Sequence, residues 1–323
     1  MHCENKIVGN TPMIKINYKY KGKENSILVK LEYYNLTGSI KDRAAEYIIK
    51  NAKNRGELKE GMPIIEATSG NMGIAIAALG SYYKHPVYIY MPDWVSKERI
   101  EIIKSYGAKV ILISREEGGF LKCIEEAKKK AKEVNGLLTN QFANKDNLLA
   151  HYETTGEEII KQTQKKIDGF VSGVGTGGTL MGVGQKLKEH YKDVKIVAIE
   201  PDKMPILSGG KIVGQHKIEG IGDDFIPDLI DKNKIDKILL INDDDAINMS
   251  RKLAKELGVA VGISSGANFL GSVLLTEEIQ GNVVTVFADD NKKYLSTDLS
   301  KEINTKQEFL SNKIELLSMQ EVF

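Results

Sequence analysis

The sequence predicts an α/β protein of two domains, each a mostly parallel, twisted sheet covered by helices, with a ligand in the cleft between them. The chain has 323 residues, more than one hydrophobic core usually supports. Apolar residues make up 41% and charged residues 28%, the balance of an ordinary globular protein. Short strand-like runs alternate with longer helical patterns, and this alternation is typical of βα units in a parallel sheet.

The alternation is regular in both halves of the chain. In the first half, strands and helices are predicted in strict succession at residues 26–31, 39–54, 62–68, 71–83, 86–91, 97–106, 109–114 and 119–134. In the second half, strands are predicted at 169–172, 195–200 and 282–288, and helices at 179–191, 244–257 and 268–278. After Leu299 a further amphipathic helix is predicted from the apolar residues Ile303, Phe309, Leu310, Ile314 and Leu317.

Charge and composition exclude several classes of function. Lysine plus arginine (45) nearly equal aspartate plus glutamate (44), so we expect neither nucleic acid nor an acidic membrane as a partner. The amino terminus lacks the apolar core of a signal peptide and no apolar run is long enough to span a bilayer, so a cytoplasmic protein is expected. Cys3 and Cys123 have no partner at the spacing of metal ligands, so we expect free thiols and no metal site.

The first segment that carries chemistry, residues 35–43, places Lys41 in the opening turn of a predicted helix. The positive end of the helix dipole disfavours an ammonium group there, which suits an amine that attacks a carbonyl. A lysine in a first turn is more often a solvated surface charge, so the segment gains meaning only together with others.

The second segment, residues 66–73, also joins a predicted strand to a predicted helix. Its glycines leave unpaired N–H groups facing outward, and the hydroxyls of Thr68 and Ser69 add donors. Such a turn can receive a carboxylate or a phosphate. The alternative is that Ser69 or Asn71 merely caps the helix.

The third segment, residues 173–179, brings backbone amides and the hydroxyls of Thr176 and Thr179 to a helix N-terminus, as in a phosphate cradle. Its glycines also satisfy G-x-G-x-x-G, and Glu200 ends the next predicted strand, as in a dinucleotide site. The two hydroxyls favour a monophosphate. A dinucleotide would leave Lys41 unexplained, and its fingerprint most often lies on the first strand of a domain rather than in mid-chain.

The fourth segment, residues 262–268, is a glycine-rich turn from which we predict a helix starting at Asn268. The hydroxyl of Ser264 beside a pyridine nitrogen would exchange one hydrogen bond without fixing a proton on it, whereas an aspartate would make a full electron sink. Taken alone, the serine is better interpreted as an ordinary helix cap.

In this order the four segments resemble one family, the fold type II (β-family) enzymes that depend on pyridoxal 5′-phosphate (PLP), and within it cysteine synthase and cystathionine β-synthase. The resemblance covers most of the chain and also includes residues 9–12, 140–142, 151–156, 219–222, 225–227 and 294–297. It implies PLP as the cofactor, a small amino acid as the substrate, and a homodimer.

The resemblance also implies roles for single residues. Lys41 would form the Schiff base with PLP and move the α-proton of the substrate. The cofactor would be held by Asn71 at its ring hydroxyl oxygen, by Gly175, Thr176, Gly177, Gly178 and Thr179 at its phosphate, and by Ser264 at its pyridine nitrogen. The substrate carboxylate would be received by Thr68, Ser69, Gly70, Met72 and Gln141. Family members often have threonine in place of Met72, so one hydroxyl donor is absent here.

By the same resemblance, residues 35–145 form a smaller, mobile domain that closes over the substrate carboxylate and expels water from the cleft. Residues 146–323 would form the larger domain with the phosphate loop, and residues 1–34 would pack on it.

A pair of aspartates departs from the family pattern near the expected place of the β-carbon. O-acetylserine sulfhydrylases usually carry small residues there and cystathionine β-synthases carry Tyr-Asp, whereas this chain has Asp223 and Asp224. A carboxylate would repel hydrosulfide, but it would help water or a thiol by accepting its proton. We therefore hypothesise an enzyme that takes L-cysteine as β-donor, releases hydrogen sulfide, and adds water or a thiol to an aminoacrylate, with Asp223 as a catalytic residue. Solvated loop charges are the other interpretation of these aspartates.

Three further functions stay open on the sequence alone. One is a cysteine synthase that makes cysteine from O-acetylserine and sulfide. Another is a nicotinamide-dependent oxidoreductase, which would use the glycine fingerprint and Glu200. The third is a PLP-binding scaffold that has lost turnover and acts through a partner, although the retention of Lys41 and Asn71 argues against it.

Overall fold

The computed structural model describes residues 7–301 and 306–322, so the predictions for Cys3 and Ile303 lie outside the described residues. The strands are β1 (Met13–Tyr20), β2 (Lys23–Leu31), β3 (Ile64–Ala67), β4 (Val87–Pro92), β5 (Lys109–Ile113), β6 (Leu137–Leu138), β7 (Gly169–Gly173), β8 (Lys195–Pro201), β9 (Lys237–Ile241), β10 (Val283–Phe287) and β11 (Ile314–Val322). The helices are α1 (Lys41–Asn54), α2 (Asn71–Tyr82), α3 (Lys97–Ser105), α4 (Gly119–Glu133), α5 (Lys145–Ala150), α6 (Gly156–Gln162), α7 (Gly178–His190), α8 (Asp243–Leu257) and α9 (Ile263–Ile279). A π-helical turn, His151–Thr155, joins α5 to α6.

The strands form two sheets, which confirms the predicted α/β class. The larger has the order β11-β1-β2-β10-β7-β8-β9, and its strands from β2 to β9 are parallel, while β1 and β11 run antiparallel to their neighbours. The smaller has the order β5-β4-β3-β6 and is parallel throughout. The central strands β3, β7 and β10 are almost wholly buried, because helices cover both faces of a parallel sheet.

Successive side chains of a strand point to opposite faces of its sheet, so each sheet has one hydrophobic core on each face. On β3, Ile64 packs with α1, α2 and α3, whereas Ile65 packs with α4. In the larger sheet α8 and α9 cover one face and α6 and α7 cover the other. The helices α2 and α9 are buried on nearly every side, so their N-termini are held rigidly.

The prediction for the tail after Leu299 was wrong, because residues 314–322 form β11 rather than a helix. The strand pairs antiparallel with β1, and this pairing gives a period of two, in which Ile314 and Leu316 are buried while Leu317 is exposed. Phe309 and Leu310 lie just before it, around a short 3₁₀ turn.

Other boundaries also differ from the sequence prediction. The helix α9 begins at Ile263, five residues earlier than predicted, so Ser264 lies inside its first turn. The sequence prediction also missed β1, β6, β9, α5 and α6.

Two features are absent from the part of the chain that the structure describes. Within residues 7–301 and 306–322, no helix has both the length and the apolar composition that a bilayer crossing requires. The same residues contain no group of three or more His, Cys, Asp or Glu side chains placed to hold a metal ion. Cys123 is buried and carries a free thiol.

Candidate active site

The carboxyl ends of the parallel strands face a cavity of about 1090 Å³ between the two sheets. Ligands of α/β proteins bind at this end of the strands. The cavity is lined by these residues from the sequence prediction: Lys41, Thr68, Ser69, Asn71, Met72, Gln141, Gly175, Thr176, Gly177, Thr179, Asp223 and Ser264. Gly70 and Gly178 belong to the same turns. The fold therefore brings the predicted site residues together in one cleft.

Lys41 is the first residue of α1, and the backbone before it is fixed to the end of β10. The Ile40 N–H donates to the Ala288 carbonyl at 2.8 Å, and Ser39 forms an isolated bridge with Asp289. Burial lowers the pKa of the Lys41 amine, while the carboxylates of Asp289 and Asp223 oppose this shift. Burial, more than the helix dipole, thus favours the neutral amine that a nucleophile needs.

The turn between β7 and α7 forms the predicted anion cradle. Gly177 lies in the left-handed region at φ +85°, and a Cβ on Gly175 would lie 2.4 Å from the Gly220 carbonyl oxygen, so neither position accepts a side chain without strain. The first N–H groups of α7 have no partner within the helix. The Thr176 hydroxyl oxygen accepts from the Asn147 amide at 2.9 Å, which leaves its proton free for an anion.

His151, which the sequence prediction did not single out, holds the second hydroxyl of the cradle. Its Nε2 lies 3.3 Å from the Thr179 hydroxyl oxygen and its Nδ1 lies 3.0 Å from that of Thr155. Burial lowers the pKa of His151 to about 3, so the ring is neutral. With its proton on Nε2, the ring donates to Thr179, and the threonine then donates its own proton to a phosphate oxygen.

The turn between β3 and α2 presents the predicted carboxylate receptor. The Thr68 hydroxyl oxygen accepts from the Gly70 N–H at 3.0 Å. The side chain of Arg99 fills the space at Gly70, where an added Cβ would lie 2.2 Å from Arg99 Cδ. The Gln141 amide donates to the Ala67 carbonyl at 3.1 Å, which places it beside the turn. The unpaired N–H groups at the start of α2 then face the cleft.

Met72 contributes no polar atom of its side chain to this receptor. It is 1% exposed and packs in the core of α1, α2 and α3. Family members often have a hydroxyl donor at this position, whereas the Met72 side chain packs in the hydrophobic core and donates no hydrogen bond.

Asp223 and Asp224 both line the cavity but differ in burial. Asp224 is exposed, whereas Asp223 is half-buried. Burial raises the pKa of Asp223 to about 6, the negative charge of Asp224 adds to this rise, and the positive charge of Lys41 opposes it. Of these two aspartates, Asp223 is thus the one that is coupled to the Lys41 amine.

Ser264 and Glu200 bear on the choice between PLP and a dinucleotide. Ser264 is buried at the second position of α9 and lines the cavity. The Glu200 carboxylate accepts from the N–H groups of Leu207 and Ser208 at 2.7 and 3.0 Å. Because both oxygens bind backbone, Glu200 lies in a loop contact rather than in the place of a ribose ligand.

Asp289 is a buried carboxylate that bonds to two residues lining the cleft, and the sequence prediction missed it. Its Oδ2 accepts from the Asn71 amide at 2.7 Å and from the Tyr294 hydroxyl at 2.6 Å. Arg99 lies over the Tyr294 ring at 4.5 Å and pairs with Glu219. A polar residue two positions after the buried strand β10 was the signal that could have found Asp289.

The residues of the cleft fit PLP by their chemistry. The amine matches the aldehyde of PLP, and the anion cradle matches its phosphate. The neutral hydroxyl matches the pyridine nitrogen, and the carboxamide matches the ring hydroxyl oxygen. The Asn71 side chain lines the cavity, and its Oδ1 is buried without a hydrogen-bond partner, as expected where a polar ligand lies beside it.

Comparison with known proteins agrees with this fit. The model of the pyridoxal-phosphate dependent enzyme family matches residues 5–289. A cysteine synthase of Staphylococcus aureus is 41% identical over 296 residues, which cover 91% of this chain and 95% of that protein.

Two solved structures are also similar over nearly the whole chain. A hydrogen sulfide-producing enzyme of Fusobacterium nucleatum is 51% identical with a TM-score of 0.94, over 98% of this chain and 97% of that one. An aspartate-to-asparagine variant of that enzyme has been crystallised with an α-aminoacrylate intermediate. A cysteine synthase of Entamoeba histolytica is 40% identical with a TM-score of 0.86, over 94% and 92% of the two chains. The protein therefore belongs to the pyridoxal-phosphate dependent enzymes and, within them, to the group of cysteine synthases and cystathionine β-synthases.

Proposed function

We propose that this enzyme catalyses β-replacement on L-cysteine, releasing hydrogen sulfide and adding water or a thiol at the β-carbon to give serine or a thioether amino acid. The observation that carries the proposal is the carboxylate of Asp223 in the cleft, which is coupled electrostatically to Lys41 and has a pKa raised to about 6. The hydrogen sulfide-producing enzyme, at 51% identity, supports the same direction of reaction.

The residues of the cleft would have separate roles in binding the cofactor, binding the substrate and moving protons. Bound PLP supplies the electron sink that makes the α-proton of an amino acid removable. The cradle at residues 175–179, with Asn71 and Ser264, would hold PLP, and the turn at residues 68–72 with Gln141 would hold the substrate carboxylate. Lys41 would take the proton from the α-carbon and later return it, and the C–S bond of the donor breaks with hydrosulfide as the leaving group.

Asp223 would act on the incoming nucleophile. When water adds, a C–O bond forms at the β-carbon and the proton of the water moves to the carboxylate. Hydrosulfide is already anionic near neutral pH and needs no base, and a negative carboxylate repels it. The placement of Asp223 therefore favours a neutral nucleophile over hydrosulfide.

A cysteine synthase that uses O-acetylserine and sulfide is the second candidate. The observation that favours it is the 41% identity to the cysteine synthase of S. aureus. The two candidates share the cofactor and the β-carbon chemistry and differ in the donor and the nucleophile. Rates with each donor therefore separate them.

The test compares L-cysteine with O-acetylserine plus sulfide as substrates of the holoenzyme, with sulfide and amino-acid products measured in the same reaction. We expect the higher kcat/KM with L-cysteine. In Asp223→Asn, product formation from L-cysteine should fall by about 10²–10⁴-fold, while the protein stays yellow and still changes colour on adding L-cysteine. Asp224→Asn is the matched control and should stay within about threefold of wild type, because Asp224 is exposed. An unimpaired Asp223→Asn, or a preference for O-acetylserine, would overturn the proposal.

The pH dependence gives a second test of Asp223. The carboxyl must be ionised to accept a proton, and its pKa is raised to about 6. The wild-type kcat/KM for L-cysteine should therefore fall with decreasing pH, by about tenfold per unit below that value. In Asp223→Asn this acid limb should disappear, leaving a low rate between about pH 5 and 8. An identical acid limb in both proteins would assign it to another group.

We further propose that residues 35–145 form a domain that closes over the substrate. Contacts between α3 and the segment after β10 support this, since the Ser96 hydroxyl donates to the Lys293 carbonyl and the Ser296 hydroxyl donates to Glu98, at 2.8 and 2.7 Å. The homodimer and the cytoplasmic location implied by the sequence stay predictions.

A further inference from the structure

Asp289 and Asn71, which are 218 residues apart in sequence, bond to each other at the wall of the cleft. Asp289 follows β10 and is 1% exposed, whereas Asn71 is the first residue of α2. The 2.7 Å bond between Asp289 Oδ2 and Asn71 Nδ2 leaves the other carboxylate oxygen, Oδ1, buried without a hydrogen-bond partner. The contact is thus a built feature of the cleft.

The chemistry of a carboxylate makes this contact directional. An ionised aspartate only accepts hydrogen bonds, so the Asn71 side chain must turn its NH₂ group toward Asp289. The NH₂ group carries two N–H bonds, and with one fixed on Asp289 the second has a defined direction. An asparagine at position 289 would accept or donate, so both orientations of the Asn71 amide would become possible.

Space around Asp289 limits the carboxylate to this position. A Cβ on Gly262 would lie 2.1 Å from Asp289 Oδ1 and 2.8 Å from the Tyr294 ring. The Tyr294 hydroxyl donates to the same Oδ2 at 2.6 Å, and burial raises the pKa of this phenol well above its usual value, so it stays a donor. Gly262 and Tyr294 thus leave the Asp289 carboxylate little room to move, and its Oδ2 stays within hydrogen-bond distance of Asn71.

We infer that Asp289 is a positioning residue that fixes the carboxamide of Asn71 so that its second N–H points at the ring oxygen of the bound cofactor. The inference rests on the place proposed above for Asn71, and it does not depend on which donor the enzyme uses. A hydrogen bond to the ring oxygen favours the form in which that oxygen carries negative charge. Asp289 would therefore act on the colour of the holoenzyme through Asn71.

The test is the absorbance spectrum of the substrate-free holoenzyme in wild type, Asp289→Asn, Asn71→Ala and the double variant. In Asp289→Asn we expect the ratio of the long-wavelength to the short-wavelength band of the cofactor to fall by roughly three- to tenfold, the effect of one lost hydrogen bond. Asn71→Ala should show the same shift or a larger one. In the Asn71→Ala background, Asp289→Asn should produce no further change, because the residue acts through Asn71.

Asp290→Asn is the matched control, since Asp290 is the adjacent carboxylate and pairs instead with Lys292 at 3.5 Å. It should keep the wild-type spectrum. If Asp289→Asn does not fold, Asp289→Ser replaces the carboxylate with a smaller hydroxyl group that can either donate or accept, and the same shift is expected. A wild-type spectrum in either Asp289 variant, or additive shifts in the double variant, would overturn the inference. An enzyme that is inactive on L-cysteine but shows the non-additive shift would contradict only the proposed donor.

Discussion

Replacing Lys41 with alanine is expected to lower kcat for β-replacement by at least about 10⁴-fold, because it removes both the nucleophile and the proton carrier at the α-carbon. The amine lies at the start of α1, and burial lowers its pKa toward the neutral form that both roles need. The measurement is single-turnover conversion of L-cysteine, together with the absorbance of the purified protein. The variant should lose the yellow colour that the amine gives with the cofactor.

Lys145→Ala provides the control for this substitution. Lys145 is likewise the first residue of a helix, α5, but its side chain is exposed. Its replacement should leave both colour and rate within about twofold of wild type. Retention of the yellow colour and of more than about one percent of the rate in Lys41→Ala would show that another amine serves the site.

Arg43→Met is expected to lower the free energy of unfolding by about 3–5 kcal/mol, the cost of leaving a buried charge without its partner. The Arg43 guanidinium donates to the Glu32 carboxylate at 2.6 and 2.8 Å and to the Glu158 carboxylate at 2.7 Å. Glu158 also pairs with Lys30 at 2.7 Å. The Arg43 and Glu32 side chains are 1% and 0% exposed, so little solvent screens the pair. Urea unfolding followed by circular dichroism measures the loss.

Arg55→Met is the surface counterpart of this experiment. Arg55 pairs with Glu57 and Asp146 but is 45% exposed, so its removal should cost less than about 1 kcal/mol. Equal losses in the two variants would show that the buried cluster contributes no more than a surface pair. In wild type, burial alone would raise the pKa of Glu158, but Arg43 and Lys30 together outweigh it and hold this pKa at about 2, below its unfolded value. The stabilisation from this carboxylate is therefore present near neutral pH and is lost as the pH falls toward 2.

The parts of the site predicted from the sequence are those whose signal is local. Glycines and hydroxyl residues in short turns between a strand and a helix mark the segments around Lys41, Thr68, Thr176 and Ser264, and these turns meet in one cleft. The turns meet because the strands are parallel, which brings the carboxyl ends of successive strands to one edge of the sheet. The alternating pattern of strands and helices gave the fold class for the same reason.

The parts that were missed depend on contacts between distant segments. The bond between Asp289 and Asn71 joins residues 218 apart, and that between Arg43 and Glu158 joins residues 115 apart. No spacing rule connects such pairs before the chain is folded. The error at residues 314–322 has a similar cause, because the period of this segment is set by its pairing with β1 rather than by its own apolar residues.

The pairing of β1 with β11 also has a consequence for synthesis of the protein in the cell. Asn17 and Ser318, which bond across the two strands, are 301 residues apart, so a ribosome needs roughly 15–60 s to make the stretch between them. During that time the outer edge of β1 has no partner and could recruit a strand from another nascent chain. Lys15 and Lys19 are residues of β1 whose side chains are not buried. Lysines on an edge strand disfavour pairing with a strand of another chain. These two charges would therefore disfavour pairing between nascent chains until β11 has been made and covers the edge of β1.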